Sequence, residues 1–383
     1  MAGPLAGIKV LEFESIGPSP FAGMLLADMG ADVLVIDRPE GTDLGLKRER
    51  WYDVLMRGKR SVTLDLKKPE SKDVALELIA KADALIEGMR PGVMERLGLG
   101  PDQAMQRNPK LVYGRMTGWG QTGPLAERAG HDINYIALSG VLNAVGRKGG
   151  GPVPPLNLIG DFGGGGMLLG FGVTCALLEA ARSGKGQVID AAMVEGASLL
   201  AGMFYGLLNG GGLINETRGD NQLDTGAPWY DVYETKDGKY VAIGSIEARF
   251  FDELVERLGL QNVPPQHDRA RWPELRAMIA GKFKSKTRDE WCEVFEGSDA
   301  CFAPVLTFSE ARRDPHNVAR GAYVDVAGVV QPAPAPRFSR TPGEVRRAPP
   351  ERGQGGRAAL ADWGFDEAAI ARLASLGLGF SAA

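Results

Sequence analysis

Cysteine and histidine are both scarce in this chain, three of each among 383 residues. Cys175, Cys292 and Cys301 show no metal-ligand spacing and cannot all pair with one another, which suits free thiols in a reducing compartment. The cytosol is the expected location. A strong charge of one sign is also missing: the net charge of -4 gives no general reason to bind nucleic acid or an anionic membrane, so any anion site must be local. The N-terminus lacks a basic segment followed by an apolar run and a small-residue cleavage site, so no secretion signal is expected. Nor does any run look membrane-spanning. The longest apolar stretch, Met167 to Ala181, is short, contains Glu179 and runs into Arg182, and is expected to be a buried helix.

What the chain has is length and glycine. At 383 residues it exceeds the size at which one hydrophobic core stops growing, so two domains are expected. Its 53 glycines follow no collagen-like period and point to many tight turns and helix starts, as in an α/β enzyme.

Ile8 to Phe13 is a short apolar run, followed by the turn Gly17-Pro18-Ser19-Pro20, helical spacing from Phe21 to Met29, and a strand from Val33 to Asp37. Strand, helix and parallel strand fit the roughly 30 residues that a right-handed crossover unit needs. Ser61 to Leu66, Ala84 to Glu87, Leu111 to Met116 and Gln187 to Ala191 read as further strands. Helices are expected at Pro69 to Ala82, Asp132 to Ala144, Gly164 to Ser183 and from Met193. Trp229 to Glu234 and Lys239 to Gly244 alternate around Lys236-Asp237-Gly238, a hairpin signal. The expected plan is a large Rossmann-like, doubly wound α/β domain over 1–190, a helical linker over 191–224, and a smaller α+β domain over 225–325. From 326 to 383 the chain should run as an extended, proline-rich linker. It should end in a helix, Asp366 to Leu376, that docks on the large domain through Ile370, Leu373 and Ala374.

The opening turn argues against a nicotinamide site. A dinucleotide fingerprint needs backbone N–H groups near the pyrophosphate, and Pro18 and Pro20 have none to offer. Gly163 to Gly166 lack the Gly-Lys-Ser/Thr ending of a phosphate loop.

Of the three histidines, His267 and His316 sit among charged residues and read as surface groups. His131 lies in Gly130-His131-Asp132-Ile133-Asn134-Tyr135 at the mouth of an expected helix. Either Asp132 caps that helix and His131 is an exposed neighbour, or the imidazole is placed to exchange a proton near neutral pH. Asp161, in Gly160-Asp161-Phe162, is either a helix cap or an acid/base. The glycines after it would serve either as donors to a developing enolate oxygen or for close helix packing. Glu247 alone reads as a surface acid.

These segments, with Pro155-Leu156-Asn157-Leu158, Gly184 to Ala191, Met193-Val194-Glu195-Gly196, Gly226-Ala227-Pro228 and Asp299-Ala300-Cys301, together resemble the α-methylacyl-CoA racemases, a branch of the family III coenzyme-A transferases. The resemblance spans nearly the whole chain. It implies an interlocked homodimer whose active site lies between the large domain of one copy and the small domain of the other. It further implies that His131, supported by Glu247, and Asp161, paired with Asp132, are the two acid/base groups of an isomerase. The reaction would be proton exchange at the carbon beside an acyl-CoA carbonyl through an enolate, without a metal, nicotinamide or other cofactor.

For the coenzyme the resemblance points to Arg38, Leu64, Asp65, Leu66, Lys67 and Arg96, with Gly130 and Tyr135 near the chemistry; Arg57, Lys59 and Arg60 are further basic candidates. One departure stands out. Ala248-Arg249-Phe250-Phe251 follows Glu247 where the racemases carry a proline, glutamine, phenylalanine, tyrosine run, so Arg249 adds a charge near the expected site. Cys301 is expected to be a buried packing thiol. Two other functions remain open: a family III transferase with Asp161 as nucleophile, and a coenzyme-A-binding protein without turnover.

Overall fold

The structure is a computed structural model in which residues 3–41, 45–211 and 214–381 are described. The chain forms two compact units. One comprises Met1–Ser139, Leu156–Leu200 and Gly321–Ala383; the other comprises Gly140–Pro155 and Ala201–Arg320. The divisions drawn on the sequence fall elsewhere, because 140–155 and 201–224 group with the second unit while 191–200 and 321–325 group with the first.

The first unit is built on six parallel strands, β1 (Lys9–Phe13), β2 (Asp32–Asp37), β3 (Arg60–Thr63), β4 (Ala84–Glu87), β5 (Val112–Thr117) and β6 (Val188–Ala192), in the order β3-β2-β1-β4-β5-β6. The connections include helices α1 (Pro18–Asp28), α2 (Ser71–Ile79), α3 (Val93–Arg96), α4 (Pro101–Arg107) and α5 (Asp132–Leu138). Successive strand residues face opposite sides of the sheet, so each strand feeds two cores. Leu11, Leu34 and Leu85 join Leu78, Trp363 and Leu373 on one face, while Val10, Val33, Ile86 and Val112 join Leu169 and Val173 on the other. The strand order reverses between β1 and β4, which opens a crevice at the carboxyl ends of the strands.

Several expected boundaries move. α1 starts at Pro18, not Phe21, because a proline in the first helical turn gives up an N–H that has no intrahelical acceptor. The single helix expected over Asp132 to Ala144 is two, α5 and Val141–Ala144, separated at Gly140 with φ 80°. The helix expected from Gly164 starts at Leu158, in π-helical turns to Met167 that continue as an α-helix over Leu168–Ser183. It buries Leu169, Val173 and Ala176 but leaves Phe171 67% and Leu178 55% exposed, so it is half-buried, not buried. At 26 residues and mean hydropathy 1.4 it is, by length and composition, apolar enough to cross a membrane, which the sequence reading did not foresee; one face packs on β5 and β6.

Near the C-terminus, Tyr323–Val326 pairs antiparallel with Val329–Pro332 where an extended linker was expected. Ala327 and Gly328, with φ 52° and 84°, supply the tight turn. The last helix, Glu367–Ser375, inserts Ile370 and Leu373 into the core as expected, but Ala374 faces solvent.

The second unit carries an antiparallel sheet, β7 (Tyr230–Glu234), β8 (Tyr240–Gly244) and β9 (Phe302–Pro304). The expected hairpin turns at Asp237-Gly238, with Gly238 at φ 74°. Trp229, Tyr233, Val241 and Ile243 pack there against Leu254, Ile279, Phe283 and Trp291 from the helices. Asp231, 5% exposed, accepts from both Arg147 and Arg276, which fastens the segment Gly140–Pro155 to this sheet.

Candidate active site

β5 runs out into Thr117-Gly118, and the Thr117 hydroxyl accepts the Gly120 N–H at 2.9 Å. Gly118 has to be glycine: a Cβ there would lie 2.1 Å from the Tyr135 ring. Tyr135 stacks edge-on against Trp119 at 4.8 Å and donates its hydroxyl hydrogen bond to the Gly130 carbonyl. This packing fixes the peptide immediately before His131.

His131, not Asp132, is the N-cap of α5. Its backbone is extended, its N–H donates to Asn134 Oδ1 at 3.0 Å, and its carbonyl accepts the Asn134 N–H at 2.8 Å. The exposed imidazole projects from that cap. Asp132, the first helical residue, is only 6% exposed, and its Oδ1 accepts the backbone N–H of Asp161 at 2.7 Å. Asp132 Oδ2 is buried without a partner. Gly160 permits this approach, since a Cβ there would stand 2.5 Å from Asp132 Oδ1.

Asp161 sits within the π-helical turns rather than before a helix, so it is not a cap. Wide π turns displace side chains from the regular helical path and recur at functional sites. The Asp161 carboxyl is half-buried and receives Asn157 Nδ2 at 3.0 Å on Oδ2. Gly17, held at φ 67°, lies against the same oxygen: a Cβ on it would be 3.1 Å away. Burial raises the Asp161 pKa; the Asn157 hydrogen bond opposes that, the Asp132 carboxylate adds to it, and His131 opposes it. Burial first, and Asp161 next, push the Tyr135 hydroxyl up to about 12, so it stays a donor at neutral pH.

The glycine run does not offer donors at a helix start, because the helix has already begun at Leu158. It allows close packing instead. A Cβ on Gly164 would lie 2.6 Å from the Ala197 nitrogen, and one on Gly166 would lie 2.6 Å from the Pro18 carbonyl oxygen.

Arg57, Lys59 and Arg60 are not available to a coenzyme. Arg57 pairs with Asp28 at 2.6 Å, Lys59 with Glu12 at 2.6 Å, and Arg60 with Asp32 and Asp362, all with cationic side chains no more than 6% exposed. Leu64 is a core residue at 1% exposure, so only its backbone could meet a ligand. Asp65 and Leu66 are half-buried, Lys67 is exposed and its N–H donates to Asp65 Oδ1, and Arg96 is exposed on α3. Arg38 is half-buried, with its N–H on Glu14 Oε2 at 2.8 Å and its carbonyl accepting from Arg352 at 2.8 Å.

A cavity of about 220 Å³ opens at the ends of β1 and β2, lined by Glu14, Ser15, Asp37, Arg48, Arg50 and Arg352 among others. None of the expected coenzyme residues lines it, although Glu14 and Arg352 join Arg38 to its wall. Its three arginines were missed by the sequence reading. Arg50 pairs with the buried Asp37, and Arg352 bonds Glu14 at 2.6 Å from a segment more than three hundred residues away. Only the strand-end position of Asp37 could have signalled that a cation must come from somewhere.

Glu247 lies in the second unit as the exposed N-cap of the helix Ala248–Leu258. Arg249 stacks over the Phe250 ring at 4.4 Å. Cys301 is exposed and held at φ 54°, not buried as expected; desolvation first, and Glu247 next, raise its pKa. His267 and His316 are exposed, as their surroundings implied.

Residues 5–355 match CoA-transferase family III. The chain belongs to that family. It is 45% identical over 375 residues to alpha-methylacyl-CoA racemase of Mus musculus, covering 97% of this chain and 96% of the relative. It is also 45% identical over 343 residues to alpha-methylacyl-CoA racemase of Homo sapiens, covering 88% of this chain and 87% of the relative. Among solved structures, a CAIB/BAIF family protein from Brucella suis superposes with a TM-score of 0.82 at 28% identity, over 95% of this chain and 100% of that one. The parallel sheet and the mixed α/β architecture are those of the family.

Proposed function

We propose that this protein racemises 2-methylacyl-CoA thioesters, with His131 and Asp161 as the two acid/base groups. The observation that carries the reading is the bond from the Asp161 backbone to Asp132, which ties the residue after one candidate to the peptide of the other at 2.7 Å. One group, deprotonated, takes the α-proton; the electron pair moves into the thioester carbonyl to give a planar enolate; the other group returns a proton to the opposite face. Asp161 suits a group that must hold a proton in part of its cycle, because burial and Asp132 both favour its neutral form. The likeness to the mouse and human racemases supports the same chemistry.

Arg38, Leu64, Asp65, Leu66, Lys67 and Arg96 are proposed for coenzyme A through their position near the strand ends, and Arg48, Arg50 and Arg352 are added from the cavity. We assign the protein to the cytosol, a compartment that its free cysteines suit. The proton transfer asks for no metal or redox group. The exposed Phe171, Leu178 and Leu199 suit burial in a homodimer, in which Glu247 of a second copy would support His131.

Incubation with a single 2-methylacyl-CoA epimer in deuterated water tests the reading. The expected result is label at the α-carbon with loss of optical purity and no need of an acyl acceptor. Transfer of coenzyme A to a free acid without such exchange would make the protein a transferase with Asp161 as nucleophile. Tight binding of the thioester with neither reaction would leave only a coenzyme-A-binding role.

A further inference from the structure

The backbone of Arg38, the residue that follows β2, is gripped on both sides by one ion pair. Its N–H donates to Glu14 Oε2 at 2.8 Å, and its carbonyl accepts from Arg352 Nη1 at 2.8 Å. The two gripping side chains also hold each other. Arg352 Nη2 donates to Glu14 Oε1 at 2.6 Å and Nη1 to Glu14 Oε2 at 3.2 Å, the paired fork that arginine makes on a carboxylate. Glu14 itself follows β1, and its N–H donates to the Ile36 carbonyl of β2 at 3.0 Å. A closed ring of hydrogen bonds therefore ties the ends of β1 and β2 to the C-terminal segment through the peptide groups of residue 38.

Arg352 arrives on a segment that is anchored beside it. The Gly353 N–H donates to Ser61 Oγ of β3 at 2.8 Å, and the Ser61 N–H donates to the Gln354 carbonyl at 3.0 Å. The same Ser61 hydroxyl donates to Asp37 Oδ2 at 2.6 Å, at the residue before Arg38. The Arg38 side chain, by contrast, is uncommitted: among the described residues its guanidinium makes no hydrogen bond or ion pair. Arg48, Arg50 and Arg352, which line the neighbouring cavity, are each paired with a carboxylate, on Asp53, Asp37 and Glu14. A cation with a fixed backbone and an unspent side chain, at the carboxyl end of a strand in an open α/β sheet, suits an anionic ligand.

We propose that Glu14 and Arg352 are positioning residues for the coenzyme, clamping the Arg38 backbone so that its guanidinium meets a phosphate of the nucleotide half of coenzyme A. The inference rests on the assignment of Arg38 to the coenzyme and deepens it. Arg352, whose forked donors are spent on Glu14 and on the Arg38 carbonyl, serves the coenzyme through Arg38 and not by contact.

That indirectness sets the test, a double-mutant cycle on the calorimetric Kd for coenzyme A with Arg38→Ala, Arg352→Gln and the pair. Each single variant is expected to bind about tenfold more weakly, as for the loss of a hydrogen bond to a charged group. The pair should be no weaker than Arg38→Ala within about twofold. A second readout separates positioning from general loosening: in Arg352→Gln the kcat/KM preference for a 2-methylacyl-CoA over the same acyl group on pantetheine, which lacks the phosphates, should narrow by about tenfold. If Arg352→Gln does not fold, Glu14→Ala replaces it, because Arg352 is 24% exposed and keeps Asp37 Oδ1 at 3.5 Å. Multiplied losses in the pair, wild-type affinity in either single variant, or an unchanged preference between the two thioesters overturns the proposal. Failure of the racemase reading is seen separately, as absence of α-carbon exchange in the unaltered protein, and leaves the binding cycle readable.

Discussion

Lys59→Met separates a structural lysine from a coenzyme-binding one. Lys59 Nζ donates to Glu12 Oε1 at 2.8 Å, to Glu12 Oε2 at 2.6 Å and to the Pro20 carbonyl at 2.9 Å. The two side chains are 0% and 1% exposed. Removing the ammonium strands a carboxylate in the core, and breaking such a pair from one side costs about 3–5 kcal/mol. The cost depends on pH with a definite sign. Burial holds the Glu12 pKa above its usual value of 4.5, and Lys59 is the main opposing influence, so the variant raises it further. A carboxyl with a raised folded pKa binds more protons folded than unfolded, so its contribution is fullest at low pH and is lost as pH rises through the folded value. Urea unfolding at pH 8 and pH 5 should therefore show the larger loss at pH 8, and Glu12→Gln added to Lys59→Met should recover most of it. A loss below about 1 kcal/mol at pH 8, combined with a raised KM for the thioester, would refute the structural assignment.

Three further outcomes are expected. Asn157→Ala removes the donor that favours the Asp161 carboxylate, so the limb of the kcat/KM pH profile set by Asp161 moves to higher pH. Gly160→Ala places a Cβ 2.5 Å from Asp132 Oδ1. It should cost about 100-fold in kcat with the fold retained by circular dichroism, as expected for a misplaced reacting group. Leu373→Ala, at a fully buried core position of the last helix, should lose about 2–5 kcal/mol in denaturant titration while leaving KM unchanged.

The parallel sheet was legible because buried strands read as unbroken apolar runs, and β1, β2, β4 and β5 lie where Leu11, Val35, Leu85 and Val112 predict. The π-helical turns were not legible, since Gly163 to Gly166 read as the opening of a helix, whereas the helix has already begun at Leu158 and Gly196 and Pro18 press against the run. The final hairpin was hidden by the prolines around it, although Ala327-Gly328 was its turn. For the proposed site, the motif around His131 and the segment Gly160-Asp161-Phe162 carry the resemblance, and the structure joins Asp132 to Asp161. Arg57, Lys59 and Arg60 misled because cations near strand ends resemble a phosphate site, while their partners Asp28, Glu12 and Asp32 lie on other elements. Burial of a charge is a property of the fold, not of a local pattern.

The central claim is that two groups serve opposite faces of one planar carbanion. Each epimer of the substrate can be supplied separately in deuterated water to His131→Ala and to Asp161→Asn, and α-carbon label followed by mass. Each variant should stop epimerising yet still exchange one epimer, and the two variants should exchange opposite epimers. If both variants label the same epimer, or either labels both equally, His131 and Asp161 do not divide the two faces between them.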